Sequence, residues 1–276
     1  MNKLSTQRRA QVIAALVDGN SIRATSRITQ TAKGTVLRLL REVGEACAEY
    51  QDKMLRGLQC KRIQCDEIWS FCYAKQKNVP KKYKGTFGYG DVWTWVAIDA
   101  KTKLVPSWHI GWRNAGDAYE FMTDLAGRLS NRVQLTTDGL KVYLDAVEGA
   151  FGSEIDYAML IKIYGSEPMT EARYSPPKCI GTETTVIQGK PNPKKISTSY
   201  IERQNLTMRM SMRRFTRLTN GFSKKVENLR YAVAIHFMYY NFCRIHASVK
   251  KTPAMAAGLA EWPWSVEDIV SLLDSK

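Results

Sequence analysis

Apolar residues recur along this chain with two different periods, and the change of period divides it. Up to about residue 58 the period is helical. Val12, Ile13, Leu16 and Val17 share one side of a first segment that Thr6 can cap and that Asp18-Gly19-Asn20 ends. Ser21 can cap a short second helix over residues 22–28, and Thr31 a third that turns Val36, Leu39, Leu40 and Val43 inward. Two helices joined by a tight turn, the second opening on Ala32-Lys33-Gly34-Thr35, form the helix-turn-helix pattern. In that motif the first residues of the second helix reach base edges, here Lys33, Thr35 and Arg38. Arg23, Arg27 and Arg41 extend the basic outer face. An ordinary small helical bundle has the same periodicity.

From residue 61 the pattern becomes that of strands. Residues 65–71 form an apolar run interrupted by Asp66 and Glu67. Residues 92–99 are dense in Trp, Val and Ile, and 104–111 follow across Lys101-Thr102-Lys103, which predicts an antiparallel meander. Then come a helix over 115–129, a strand over 133–137 that closes at Asp138, a helix over 143–150 and a strand over 157–163. Residues 165–195, polar and rich in Pro, Gly and Thr, read as a loop-like insertion. A basic helix spans 199 to about 218. Another spans 227–243 and packs on the core through Tyr231, Phe237, Tyr239, Tyr240 and Phe242.

Three antiparallel strands followed by helix, strand, helix, strand, helix is the order of the ribonuclease-H-like fold. The expected class is therefore a mixed α/β sheet of that kind behind an all-α helix-turn-helix domain. The expected division is residues 1–58 for DNA binding, 59–220 for the catalytic domain and 221–276 for a C-terminal helical segment packed on the core.

Charge adds a partner. The 276 residues carry 41 Lys and Arg against 26 Asp and Glu, a formal charge of +15, which predicts attraction to a polyanion, most commonly nucleic acid. Residues 194–230 hold ten basic residues and two acids, and Lys75, Lys77, Lys81, Lys82 and Lys84 form a second knot, together suggesting a phosphate-tracking groove. The six cysteines show no C-x-x-C pair and no zinc spacing, as expected of reduced thiols. No apolar run approaches a membrane span and no signal-type stretch follows Arg8-Arg9, so a cytoplasmic, non-membrane protein is expected.

The candidate chemistry lies in the acids. A carboxylate inside an apolar strand is costly unless it binds metal or finds partners. Asp66 sits in such a strand, Asp138 closes another before Gly139, and Glu202 falls in the first turn of the basic helix. In a ribonuclease-H-like sheet the first and fourth strands are neighbours, so the aspartates can converge and a helix packed across them can bring the third acid. Three carboxylates around two Mg²⁺ ions, which Mn²⁺ can replace, suit phosphodiester chemistry. Each acid has a plainer alternative: Glu67 as the buried acid instead of Asp66, Asp138 as a turn former, Glu202 as a helix-terminus charge.

A family resemblance joins these positions. Cys65-Asp66-Glu67-Ile68-Trp69, Thr137-Asp138-Gly139 and Tyr200-Ile201-Glu202-Arg203-Gln204-Asn205-Leu206 resemble the three acidic motifs of DDE-type insertion-sequence transposases, most of all the insertion-sequence-one family. Ser223-Lys224-Lys225-Val226-Glu227 is similar to the same family. Tyr240-Asn241-Phe242-Cys243-Arg244-Ile245-His246 and Thr252-Pro253-Ala254-Met255-Ala256-Ala257 resemble the tails of many insertion-sequence transposases.

The resemblance implies a retroviral-integrase-like core with Asp66, Asp138 and Glu202 as Mg²⁺ ligands and catalytic residues. It also implies a DNA-positioning role for Arg209, two turns beyond Glu202 with Asn205 and Leu206 filling the stripe between them; Arg213 joins Arg209 among the DNA-binding residues. The chain departs from founding members in lacking an N-terminal zinc finger, and in the 64-position separation of Asp138 from Glu202, the excess being accounted for by the 165–195 segment.

The expected activity is binding of the inverted repeats that end an insertion element, cleavage to free 3′-hydroxyls and their joining to target DNA, by a homodimer or higher oligomer on DNA. The alternative is a domesticated, transposase-derived regulator with a dormant core. His109, His236 and His246 share no ligand spacing. Asp91, Asp99 and Asp117 are minor alternative acids, and Trp69 and Trp93 can border a cleft.

Overall fold

The computed structural model describes residues 4–165, 179–216 and 220–274. Three helices lead, α1 (Thr6–Val17), α2 (Ile22–Ile28) and α3 (Lys33–Met54). Ser5, not Thr6, caps α1 by accepting from the Arg8 amide, and Ser21 caps α2 through Ala24. Helix α3 begins after Ala32 with no side-chain cap, because the Thr31 hydroxyl turns back to the Thr29 carbonyl.

The sheet has six strands: β1 (Arg62–Cys72), β2 (Gly90–Asp99), β3 (Trp108–Gly111), β4 (Val133–Thr137), β5 (Ile155–Tyr164) and β6 (Cys179–Gln188), in the order β3-β2-β1-β4-β5-β6. The first three make the expected antiparallel meander, β4 runs parallel to both β1 and β5, and β6 returns antiparallel on β5. The first and fourth strands are thus neighbours. The 165–195 expectation needs correcting, since residues 179–188 are an edge strand and not loop; residues 166–178 lie outside the described set. Nearly every β6 side chain is exposed, so no alternation marks the strand, and its ladder to β5 supplies the order.

Helices α4 (Ala115–Arg128) and α5 (Val142–Phe151) cover one face of the sheet, and α6 (Ser199–Ser211) and α7 (Val226–Met238) the other. Pleating alternates the β1 side chains between them. Ile63 and Cys65 join Phe121 and Tyr143, while Ile68 joins Ile201, Met208 and Phe237. The basic helix stops at Ser211, short of the expected 218, and continues as a 3₁₀ turn over Arg213–Phe215. A π-helical turn, Tyr239–Cys243, extends α7, and short helices α8 (Pro253–Ala256) and α9 (Val266–Ser271) follow.

The N-terminal helices share this core. Val12, Ile13, Val36, Leu39, Leu40 and Val43 are buried in one apolar cluster with Leu135, Trp95 and Ile235. Gly44 of α3 lies so close to α7 that a Cβ there would stand 2.5 Å from the Tyr231 Cβ. The α1–α2 turn, where Gly19 takes a φ of +84°, rests against the Ser211 carbonyl at the end of α6. Among the described residues no helix is long and apolar enough to cross a membrane. All six cysteines are free thiols, four of them buried.

Candidate functional site

The β1–β4 register brings two of the sequence's acids together. Arg62, Ile63 and Gln64 pair in parallel with Gln134, Leu135 and Thr136, and the same offset places Asp138 beside Asp66. Asp138 lies just past the end of β4, where its Oδ1 accepts from the Leu140 amide at 3.0 Å. Gly139 follows because Ile161 of β5 presses there: a Cβ would sit 2.7 Å from the Ile161 Cγ1.

Asp66 faces α6. Its Oδ2 accepts from Asn205 Nδ2 at 2.9 Å and its Oδ1 from the Glu67 amide at 2.8 Å. Two residues earlier on the same face, buried Gln64 accepts from the Tyr200 and Ile201 amides at 2.8 and 3.1 Å. Thr198 makes no side-chain cap, so Gln64 satisfies the amides that open α6. The strand that carries Asp66 therefore also fixes the start of the helix that carries Glu202.

Glu67 belongs to the opposite face, as pleating requires, with Tyr143 of α5 donating to its Oε2 at 3.0 Å. Arg113 holds Oε1 through Nε at 2.7 Å and Nη2 at 2.6 Å. Facing away does not make it remote. One oxygen each of Asp66, Glu67 and Asp138 lies within 4.8 Å of the others. The reason is that β4 ends at Thr137, so no strand continues beside Glu67 to separate it from Asp138.

Glu202 stands apart from that group of three. Its Oε2 meets Lys162 Nζ of β5 at 2.5 Å, and its Oε1 accepts from Thr198 Oγ1 at 2.6 Å. Its charge still bears on Asp66. Burial, then the charges of Glu67 and Asp138, push the Asp66 carboxyl up to about 7. Burial and the Asp138 charge likewise raise Glu67 against the pull of Arg113, and burial raises Asp138. Three crowded carboxylates with Arg113 as the cation bonded among them form a site short of positive charge. An oxygen-only donor set of this kind fits a hard divalent cation.

The expected DNA contacts are spread along two helices. Lys33 and Arg41 are exposed on α3, and Thr35 is half-buried; half-buried Arg38 reaches Glu42 at 3.8 Å. Arg209 is half-buried on α6 and Arg213 exposed just beyond it. Of the two residues between Glu202 and Arg209 on that side of α6, Asn205 is buried and Leu206 is 42% exposed. Trp93 borders the acids, with the Arg113 guanidinium 4.7 Å above its ring. Trp69 pairs with Trp93 across β1 and β2. Asn241, from the tail motif, clasps the Val105 backbone at 2.9 and 3.0 Å, a structural role.

Sequence reasoning did not find Gln64, Arg113, Tyr143 or Lys162. Only Gln64 left a signal, two positions before Asp66 in a strand.

No family model matches the chain, and no curated protein matches it. Among solved structures, a piggyBac transposase synaptic complex with hairpin DNA aligns over 100% of this chain and 71% of its own, with a TM-score of 0.39 and 11% identity. The Mos1 strand transfer complex aligns over 86% of this chain and 76% of its own, with a TM-score of 0.26 and 11% identity. Likeness this slight carries no weight for fold or function, which rest on the chain's own geometry.

Proposed function

We propose that this chain is a DNA nuclease and strand transferase of the transposase type, built on a ribonuclease-H-like core. One observation carries the reading: half-buried Asp66, on a central strand, lies beside Asp138 and under the helix that bears Glu202. Asp66, Asp138 and Glu202, with Glu67 in reach, are the residues that would hold divalent ions. A divalent ion such as Mg²⁺ or Mn²⁺ held by these carboxylates would supply Lewis-acid activation for phosphodiester exchange. Asn205 orients the Asp66 carboxylate, Arg113 fixes Glu67, and the basic α6 and its continuation neutralise the DNA backbone. Thr35 and Arg38 on α3 are the proposed base-reading residues, with Lys33 and Arg41 on the backbone. The substrates are the ends of an insertion element and a target duplex, engaged by a homo-oligomer.

A dormant, regulatory core is the second reading, and the observation in its favour is that Glu202 is tied to Lys162 and Thr198 and not to the other acids. Nicking of supercoiled plasmid, and of duplexes taken from the DNA flanking the gene, decides between them. The enzyme reading expects cuts with Mn²⁺ or Mg²⁺ and none with EDTA. DNA binding without cleavage under either metal supports the regulator.

A further inference from the structure

Between the N-terminal helices and the connection from α6 to α7 lies a cleft of about 660 Å³. Arg23 and Lys33 line one side, and Arg213, Arg214, Lys224 and Lys225 the other. No Asp or Glu lines it among the described residues. Nor does any of the six cations make a salt bridge among them. Arg214 is half-buried and donates to Ser223 Oγ at 2.7 Å, an uncharged partner. Other inward-turned arginines are balanced by acids: Arg128 meets Asp52 and Asp124, Arg9 meets Asp274, and Arg113 meets Glu67. Six like charges around one cavity are held against their mutual repulsion by the fold, and an anion there would relieve it.

The cleft also has a place relative to the acids. Glu202 stands near one end of α6, and Met212 and Arg213, which line the cleft, follow its other end. From Glu202 to Ser211 the helix rises about 14 Å, roughly four base-pair steps along a duplex. Close by, the α1–α2 turn at Gly19 comes up against the Ser211 carbonyl, so the two walls approach each other beside the cleft.

We propose that this cleft seats the phosphodiester backbone of a DNA strand, gripped from one side by the start of α3 and the α2 cation Arg23, and from the other by the residues following α6. The inference rests on the DNA reading above and goes beyond it: the two halves of the chain hold the same strand in one cleft. Six cations over two walls exceed what one free phosphate can engage, which favours a run of backbone phosphates.

The test uses the full chain and a fluorescein-labelled 30-base-pair duplex, with binding followed by anisotropy across a salt series. Lys33→Gln/Lys224→Gln, one change in each wall, is compared with Lys53→Gln/Lys101→Gln, an equal loss of charge at exposed positions outside the cleft. Each lost phosphate contact should flatten the log–log salt slope by about 0.9, so the cleft pair should lose nearly two and the control pair almost nothing. Acetylation of lysines with and without the duplex, read by mass spectrometry, should show protection of Lys33, Lys224 and Lys225 and none of Lys53. Equal slopes for the two pairs in a chain that binds DNA would overturn the seat and leave the DNA reading standing. Protection of the same lysines by dAMP at the concentration where the duplex does not protect them would assign the cleft to a free nucleotide, against the proposal. Failure of the unmodified chain to bind the duplex at any salt would overturn both.

Discussion

His236 is buried in α7 with no partner for its Nε2 among the described residues, and burial, with Arg244 nearby, pushes its pKa down to about 3 from 6.5. Below pH 6.5 the unfolded chain binds a proton that the folded chain refuses, so this residue's contribution to stability is complete above 6.5 and is lost as pH falls toward 3. Between pH 7 and 5 the loss should be about 2 kcal/mol. Urea denaturation at the two pH values checks it. His236→Leu should remove that part of the pH dependence, and an unchanged difference between the pH values would show that His236 is protonated in the fold. Residue-scale chemistry of this kind was only partly legible in the sequence. Asp66 and Asp138 stood out because a carboxylate in or just after an apolar strand is conspicuous. Arg113, Tyr143 and Lys162 did not, because each reaches its acid from an element far away in the chain. Strand pleating sets Glu67 on the face opposite Asp66, yet its distance from Asp138 depends on where β4 stops.

At the scale of elements, Gln64 links the strand of Asp66 to the helix of Glu202. Gln64→Leu keeps the volume and removes the acceptor of the Tyr200 and Ile201 amides, leaving buried donors unsatisfied. It should cost about 1–3 kcal/mol in urea denaturation, the range for a lost cap and an orphaned buried polar group. Metal-dependent cleavage should fall further than stability alone explains, because the start of α6 is released. Full stability in Gln64→Leu would mean that water or Thr198 caps the helix instead. Helix α2 and strand β4 were legible in the sequence to the residue, since Ser21 caps the one and Asp138-Gly139 closes the other. Strand β6 was missed, because a strand wet on both faces has no period to detect. The early end of α6 was hidden too: Met212 leaves helical geometry to bury itself against the sheet, with φ −127° and ψ 112°.

Across the whole molecule, the N-terminal helices and the sheet share one apolar cluster, joined where Gly44 meets Tyr231. Calorimetry should therefore show a single unfolding transition, and Gly44→Ala should lower its midpoint, since the new methyl group must push α3 from the α7 backbone at a cost of about 1–3 kcal/mol. Two separate transitions would contradict the shared core and restore residues 1–58 as an independent unit. The most direct test of the central claim is cleavage set beside DNA binding for four variants: Asp66→Asn, Asp138→Asn, Glu202→Gln and Glu67→Gln. Release of a labelled 3′ strand from an end-containing duplex with Mn²⁺ should fall by at least ~100-fold in the first three, since a misplaced or weakly held ion spoils in-line geometry. Their DNA affinity should stay within a few-fold of the unmodified chain. Glu67→Gln, which keeps bonds to Arg113 and Tyr143 but loses its charge, should retain most activity if Glu67 only supports the site. Near-normal cleavage by Asp66→Asn, with Glu67→Gln inactive, would contradict the account and move the centre to the opposite face of β1.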